Sequence, residues 1–247
     1  MTGKLRPTIR LWEIDAARGV AVVAMIFFHF MWDLQYIGLS SVHVFSTPWQ
    51  IFARGIGTTF AFLLGLSLWL VSTRLSRRER WRYAVRRSST IVAIGLLITA
   101  GTYFFIGDAY VRFGILHLLG SMLVVSLPFV TAPLWLTLGV GLAMIAVGAY
   151  LSTLSAPFPW LIAVGVAQEG VAMVDYYPLL PWGGAALLGV ACGRLSYPAG
   201  QRRVALPDLS AVAPIRALRL LGRHSLLIYV VHQPLLLGAL YTLQALR

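Results

Sequence analysis

Apolar residues along this chain come in long blocks, separated by short polar or basic segments. A bilayer core of ~30 Å takes about 20 apolar residues per crossing helix. The pattern predicts seven such helices, at Ile14–Gly38, Trp49–Val71, Ser88–Ile106, Arg112–Val130, Leu134–Leu151, Leu179–Leu195 and Gly222–Leu246. Pro48 opens the second, Gly107-Asp108 closes the third, and Thr131-Ala132-Pro133 reads as a tight turn into the fifth. Between the fifth and sixth, Ser152–Tyr177 holds Pro157, Pro159, Glu169 and Asp175, with room for a short re-entrant or interfacial helix. Ser196–Arg219 is a basic linker with Pro198, Pro207 and Pro214. The expected fold is all-α, a polytopic membrane helix bundle of about seven transmembrane helices forming a single domain, 1–247.

Composition excludes the soluble alternatives. The chain is 59% hydrophobic and 11% charged, with mean hydropathy +0.80. Soluble domains carry roughly 25% charged residues. A net charge of +12 would suggest nucleic acid in a soluble protein. Here the basic residues sit between the apolar blocks, where they set topology instead. Lys4, Arg6 and Arg10, the run Arg74–Arg87 and the stretch Arg194–Arg223 fall on one side of seven alternating spans. The loops near 40–49, 107–111 and 152–177 fall on the other, with almost no Lys or Arg. The positive-inside rule then puts the N-terminus in the cytoplasm and the C-terminus outside. Cys192 is the single cysteine, so no intramolecular disulfide or cysteine metal cluster forms. The first apolar block carries acids and a histidine and lacks a small-residue cleavage site, so it reads as a helix rather than a signal peptide. No phosphate-binding glycine motif and no fixed-period repeat is present.

The first block is the most polar. Asp15, Arg18, Val22, Met25, His29 and Asp33 recur at three- and four-residue steps and share one helix face. Ionisable groups at membrane depth are expensive and mark function by default. His29 lies roughly 16 Å along the axis from Arg18, at 1.5 Å per residue. A carboxylate four residues from a histidine, as Asp33 is from His29, can orient the imidazole as a general base. His117 and His232 fall at comparable depth, and Ser225, Tyr229 and His232 share a face of the last helix. His43 lies on the first external loop, Arg54 early in the second helix, and Asp108 and Arg112 beside the start of the fourth. A bundle-facing arginine can bind an anion bidentately. No HExxH-type pair is present, and no metal is expected. On the residues alone, three classes stay open: an enzyme, a small proton-coupled carrier, and a structural membrane partner whose polar stripe ties helices together.

Five segments narrow the choice. RLWEIDAARGVAVVAMIFFHFMWD, FAFLLGLSL, RFGILHLLG, YYPLLPWGGAALLGVACGRL and LGRHSLLIYVVHQPL together resemble the bacterial branch of the heparan-α-glucosaminide N-acetyltransferase catalytic-domain family, over nearly the whole chain. The resemblance implies a membrane acyltransferase that moves an acetyl group from cytosolic acetyl-CoA to a sugar amine or hydroxyl on the outer side; for the structural alternative it implies a partner of a polysaccharide-modifying complex. Asp15, Arg18 and Gly19 match the opening signature; Gly222, Ser225, Tyr229 and His232 match the closing one. His29 matches the histidine of the wider superfamily's first helix, while His43 stands near the loop position of the eukaryotic enzyme's essential histidine. The catalytic candidates are therefore His29, Asp33 and His43. The substrate- and cofactor-binding candidates are Asp15, Arg18, Arg54, Arg112, His117, Ser225, Tyr229 and His232. Rim arginines such as Arg18, Arg86 and Arg223 are expected at the acetyl-CoA phosphates. The expected setting is the bacterial inner membrane, with membrane lipids, the acyl donor and a glycan acceptor as partners, no nucleic acid, and a homodimer as one arrangement open to the chain.

Overall fold

The computed structural model describes residues 11–246. Lys4, Arg6 and Arg10, which contribute to the expected topology, lie outside the described residues. The described helices, in chain order, are α1 Trp12–Tyr36, α2 Thr47–Ser72, α3 Arg77–Ile106, α4 Ile115–Val125, α5 Leu127–Thr131, α6 Leu134–Leu151, α7 Leu179–Ser196, α8 Ala213–Arg223 and α9 Ser225–Ala245. Among the described residues, six segments are long and apolar enough to cross a membrane: α1, α2, α3 with its short continuation to Ala109, α6, α7 and α9. The protein is a polytopic helical membrane protein. Large apolar side chains face outward on α3, with Leu97, Phe104 and Phe105 exposed by 72%, 80% and 90%. In water such a surface would be an aggregation liability; against lipid it is the ordinary covering.

Two compact units make up the chain. The first is Met1–Ala53 with Leu206–Arg247, and the second is Arg54–Ala205. In the first unit, α1 packs on α8 and on α9. Its close approach to α8 needs two glycines. A Cβ on Gly19 would run into the Leu218 carbonyl, and one on Gly222 would run into the Asp15 carbonyl. Small residues at such crossings let helix backbones approach closely. Near the other end of α1, Phe27 and Phe28 pack on Trp49 and Phe52 at the start of α2. The α1–α2 connection is braced by Gln35, whose side-chain oxygen accepts from the Val44 backbone N–H at 2.8 Å.

In the second unit, α3 packs on α4 and α6 on α7. At one end, the Ile115 N–H donates to Asp175 Oδ2 at 3.1 Å, and backbone bonds join Val174 to Ala109 and Tyr177 to Phe113. The loop 152–178 therefore meets the α3–α4 connection there. At the other end, the Arg194 guanidinium donates to the Ala132 carbonyl, and Trp69 Nε1 donates to the Tyr197 carbonyl at 3.0 Å. The α4–α5 segment thus runs from one end of this unit to the other, antiparallel to α3, with Gly95 facing His117 and Gly120 facing Val92.

Four element boundaries differ from the sequence expectation. The arginine-rich stretch is largely helical: α3 starts at Arg77, because Ser76 and Glu79 close a capping box with Ser76 N–H to Glu79 Oε2 at 2.8 Å. The expected fourth helix is two, broken at Ser126, since Pro128 supplies no N–H to continue the ladder. The basic linker contains α8, where Pro214 occupies the first turn and starts a helix instead of interrupting one. The last helix begins at Ser225 because His224 leaves helical geometry (φ −102°, ψ 17°) between α8 and α9. The loop 152–178 holds a 3-10 turn, Pro159–Val164, flanked by the short parallel strands β1 Ser155–Ala156 and β2 Ala167–Gln168.

Candidate active site

Among the described residues, polar contacts at three places link α1 to the α8–α9 segment. The first is ionic. Asp15 Oδ1 lies 3.4 Å from the Arg18 guanidinium, and Asp15 Oδ2 lies 3.1 Å from Arg223 Nε. It sits beside the Gly19–Gly222 crossing, which brings the end of α8 against the start of α1. The glycine in the Arg18-Gly19 pair is thus the packing element, and the charged residues flank it.

The second contact joins two imidazoles. His29 Nδ1 lies 3.1 Å from His232 Nε2, with ring centroids 4.8 Å apart. The hydrogen-bond network assigns the tautomers. His232 Nδ1 faces the Tyr229 carbonyl at 2.7 Å and the Ile228 carbonyl at 3.1 Å, so it carries a proton and donates. Its Nε2 is then an acceptor. His29 Nδ1 faces that acceptor and also the Met25 carbonyl at 3.0 Å, so it too carries the proton. The lone pair of His29 is therefore on Nε2. A neutral imidazole oriented through Nδ1–H, with Nε2 unprotonated, is the form a general base takes.

The third contact is Gln233 Nε2 donating to Asp33 Oδ1 at 2.6 Å, with Asp33 wholly buried. The expectation that Asp33 orients His29 differs from this geometry. His29 Nδ1 is directed at Met25 and His232, and the hydrogen-bond partner of Asp33 is Gln233. Gln233 was not among the sequence candidates. Its signal was present: an amide inside an apolar helix, directly after a histidine.

Ser225 opens α9, and the Tyr229 ring lies 5.7 Å from that of His232. His43 is exposed on the α1–α2 connection, where its carbonyl accepts from the Ser46 N–H at 2.9 Å. The remaining candidates belong to the second unit. His117 accepts from the Gly114 N–H through Nδ1 at 3.2 Å and meets Thr99 Oγ1 through Nε2 at 3.5 Å, so both ring nitrogens serve the start of α4 and its contact with α3. Arg112 donates to the Asp108 carbonyl at 3.0 Å and lies over the Tyr110 ring at 4.1 Å. Arg54 acts electrostatically on Tyr177. Burial first, then the charge of Asp175, pushes the Tyr177 phenol above its ordinary range, and Arg54 opposes that rise. Burial pushes the neighbouring Tyr176 phenol up to about 12.

Among the described residues no group of three or more His, Cys, Asp or Glu side chains is placed to hold a metal ion. No curated protein and no solved structure matches the chain. The family model described as heparan-alpha-glucosaminide N-acetyltransferase, catalytic, matches residues 10–234. That span begins just before α1 and ends one residue past Gln233, so it contains all three of these contacts, and the chain belongs to the heparan-alpha-glucosaminide N-acetyltransferase catalytic-domain family.

Proposed function

We propose that this membrane protein of an acetyltransferase family transfers an acetyl group from cytosolic acetyl-CoA to an amine or hydroxyl of a sugar or glycan on the outer side of a bacterial inner membrane. The observation that carries the reading is the His29–His232 contact. It holds an unprotonated imidazole nitrogen, His29 Nε2, on a membrane-crossing helix of a chain from this family.

The base works through one proton. His29 Nε2 takes the proton from the acceptor N–H or O–H as that atom attacks the acetyl carbonyl. The charge that develops on the ring is shared through Nδ1–H with His232 Nε2. The carbonyls of Ile228 and Tyr229 in turn hold the Nδ1–H of His232 and face the positive charge. His29 then returns the proton to the leaving sulfur, so the products are the acetylated acceptor and the free thiol. Acetyl-CoA supplies the acetyl group already activated as a thioester.

For its phosphates the α1–α8 end supplies cations. Arg223 and Arg18 flank Asp15. Arg219 donates to the Ser210 carbonyl at 2.7 Å, while its Nε is buried with no hydrogen-bond partner among the described residues. A buried guanidinium N–H without an acceptor fits an anionic ligand. Placing this end in the cytoplasm and the Asp33 end toward the outer side gives donor and acceptor separate approaches, with His43 near the acceptor's approach. That orientation rests on the positive-inside rule.

The test is purified protein with radiolabelled acetyl-CoA, scored for thiol release and for label on an amino sugar. We expect both. No acetyl-CoA binding together with no transfer to any glycan overturns the reading.

A further inference from the structure

Asp33 has an unusual setting for a carboxyl group. It is 0% exposed, and its Oδ1 accepts one hydrogen bond, from Gln233 Nε2. Its Oδ2 and Gln233 Oε1 are both buried without a hydrogen-bond partner among the described residues. The described arginine ion pairs of this unit are made by Asp15 instead. A buried carboxylate engaged in an ion pair would be expected to show a cation at contact distance. What Asp33 shows is an amide.

The place of that bond suggests its use. Asp33 is one helical turn beyond His29 on α1, and Gln233 directly follows His232 on α9. The two helices are thus joined at adjacent levels, imidazole to imidazole and carboxyl to amide. Axial slip of one residue moves a helix by about 1.5 Å. Such a slip, across the line of the 3.1 Å nitrogen–nitrogen contact, lengthens it to about 3.4 Å and swings the donor about 25° off the acceptor, outside the usual hydrogen-bond range. A second, shorter contact one turn away resists the slip.

We propose that Asp33 and Gln233 are a positioning pair: their hydrogen bond fixes α9 against α1 so that His232 Nε2 stays on His29 Nδ1. The proposal rests on the reading of His29 as the base. Asp33 then acts through its hydrogen bond and not through contact with the reacting groups, and Gln233 joins the site as its equal partner.

The bond is reversible in sequence, which supplies the test. Asp33→Asn combined with Gln233→Glu keeps both side-chain lengths and moves the carboxyl to the other helix. Asp33→Ala and Gln233→Leu each break the bond. Two readouts are taken on detergent-solubilised protein: acetyl transfer, and the ¹⁵N spectrum of the histidine rings, which reports the His29–His232 hydrogen bond without any reaction. Each breaking variant is expected to lose that hydrogen bond and about a hundredfold in kcat, with KM for the donor unchanged. The exchange is expected to restore the hydrogen bond and to recover about tenfold or more of the lost turnover. The proposal is overturned if the exchange stays as slow as Asp33→Ala while the histidine hydrogen bond is intact, because the carboxyl is then needed at position 33 for the chemistry itself. It is equally overturned if the breaking variants keep both the hydrogen bond and full turnover. Should Asp33→Ala fail to fold, Gln233→Leu and the exchange carry the same decision. A wild-type protein that acetylates no acceptor removes the proposed function alone, and the ¹⁵N comparison still decides whether the pair positions the histidines.

Discussion

In the proposed reaction a single imidazole, His29, carries the chemistry, and what surrounds it sets its proton. His29 is oriented by the carbonyl one turn earlier in its own helix and by a histidine 203 positions away in sequence. Replacing His29 with Ala is expected to lower kcat by about 10²–10⁴-fold, the usual contribution of general base catalysis. His43→Ala is expected to leave more turnover than His29→Ala. The opposite order, measured in the same transfer assay, would move the base to the loop. His232→Gln is expected to lower kcat and kcat/KM together, because it removes the group that shares the charge formed in the transition state. A rise in KM with kcat unchanged would give His232 a substrate-binding role instead. At this scale the sequence was partly legible. The rarity of ionisable groups in apolar helices singled out Asp15, Arg18, His29, Asp33 and His232. It did not show which of them meet, since i to i+4 spacing on one helix is equally compatible with bonds along that helix and across to another.

Elements approach one another here through small residues. Gly19 and Gly222 bring α1 and α8 into backbone contact, and Gly65 and Gly189 do the same for α2 and α7, where a Cβ would meet the carbonyls of Ala186 and Phe62. Gly19→Val is therefore expected to force the crossing apart, with an overpacking cost of about 1–3 kcal/mol or more. Thermal unfolding in detergent checks this: a transition at the wild-type temperature would mean that the crossing is looser than described. His117 also separates from the His29–His232 pair at this scale. His117→Ala is expected to lower stability by about 1 kcal/mol, as the loss of a helix cap does, because its Nδ1 serves the first turn of α4. A stability equal to wild type would free His117 for another task. Two of the missed boundaries, the starts of α3 and α8, have one cause. Ser76 with Glu79 and Pro214 were present in the sequence, and both are start signals. Hydropathy hid them, because the helices they open begin in basic segments.

For the whole molecule, the apolar blocks decide membrane residence, and the arginines carry the proposed direction. In the second unit, the α4–α5 segment runs between the same two ends as its longer neighbours, although α4 itself spans only 11 residues. Counting it as a crossing gives seven, the number on which the proposed placement of the two termini on opposite sides rests. With Cys192→Ser as background, single cysteines at positions 43, 169 and 201 test this with an impermeant maleimide on intact cells. Labelling at 43 and 169 but not at 201 is expected, and the inverse pattern would reverse the orientation.

Hydropathy and charge are properties of short stretches, so the sequence alone determined that this is a helical membrane protein, where its main spans lie and which of them carry ionisable groups. Its motifs also carried the family resemblance, from the Asp15–Gly19 signature to the Gly222–His232 one. The tertiary structure decided the pairings: Asp15 with Arg223, His29 with His232 and Asp33 with Gln233, contacts between residues 208, 203 and 200 positions apart. Such contacts depend on how two helices cross and on their axial register. Glycines at the crossing and a buried amide set both, and no local pattern of polar and apolar residues records either.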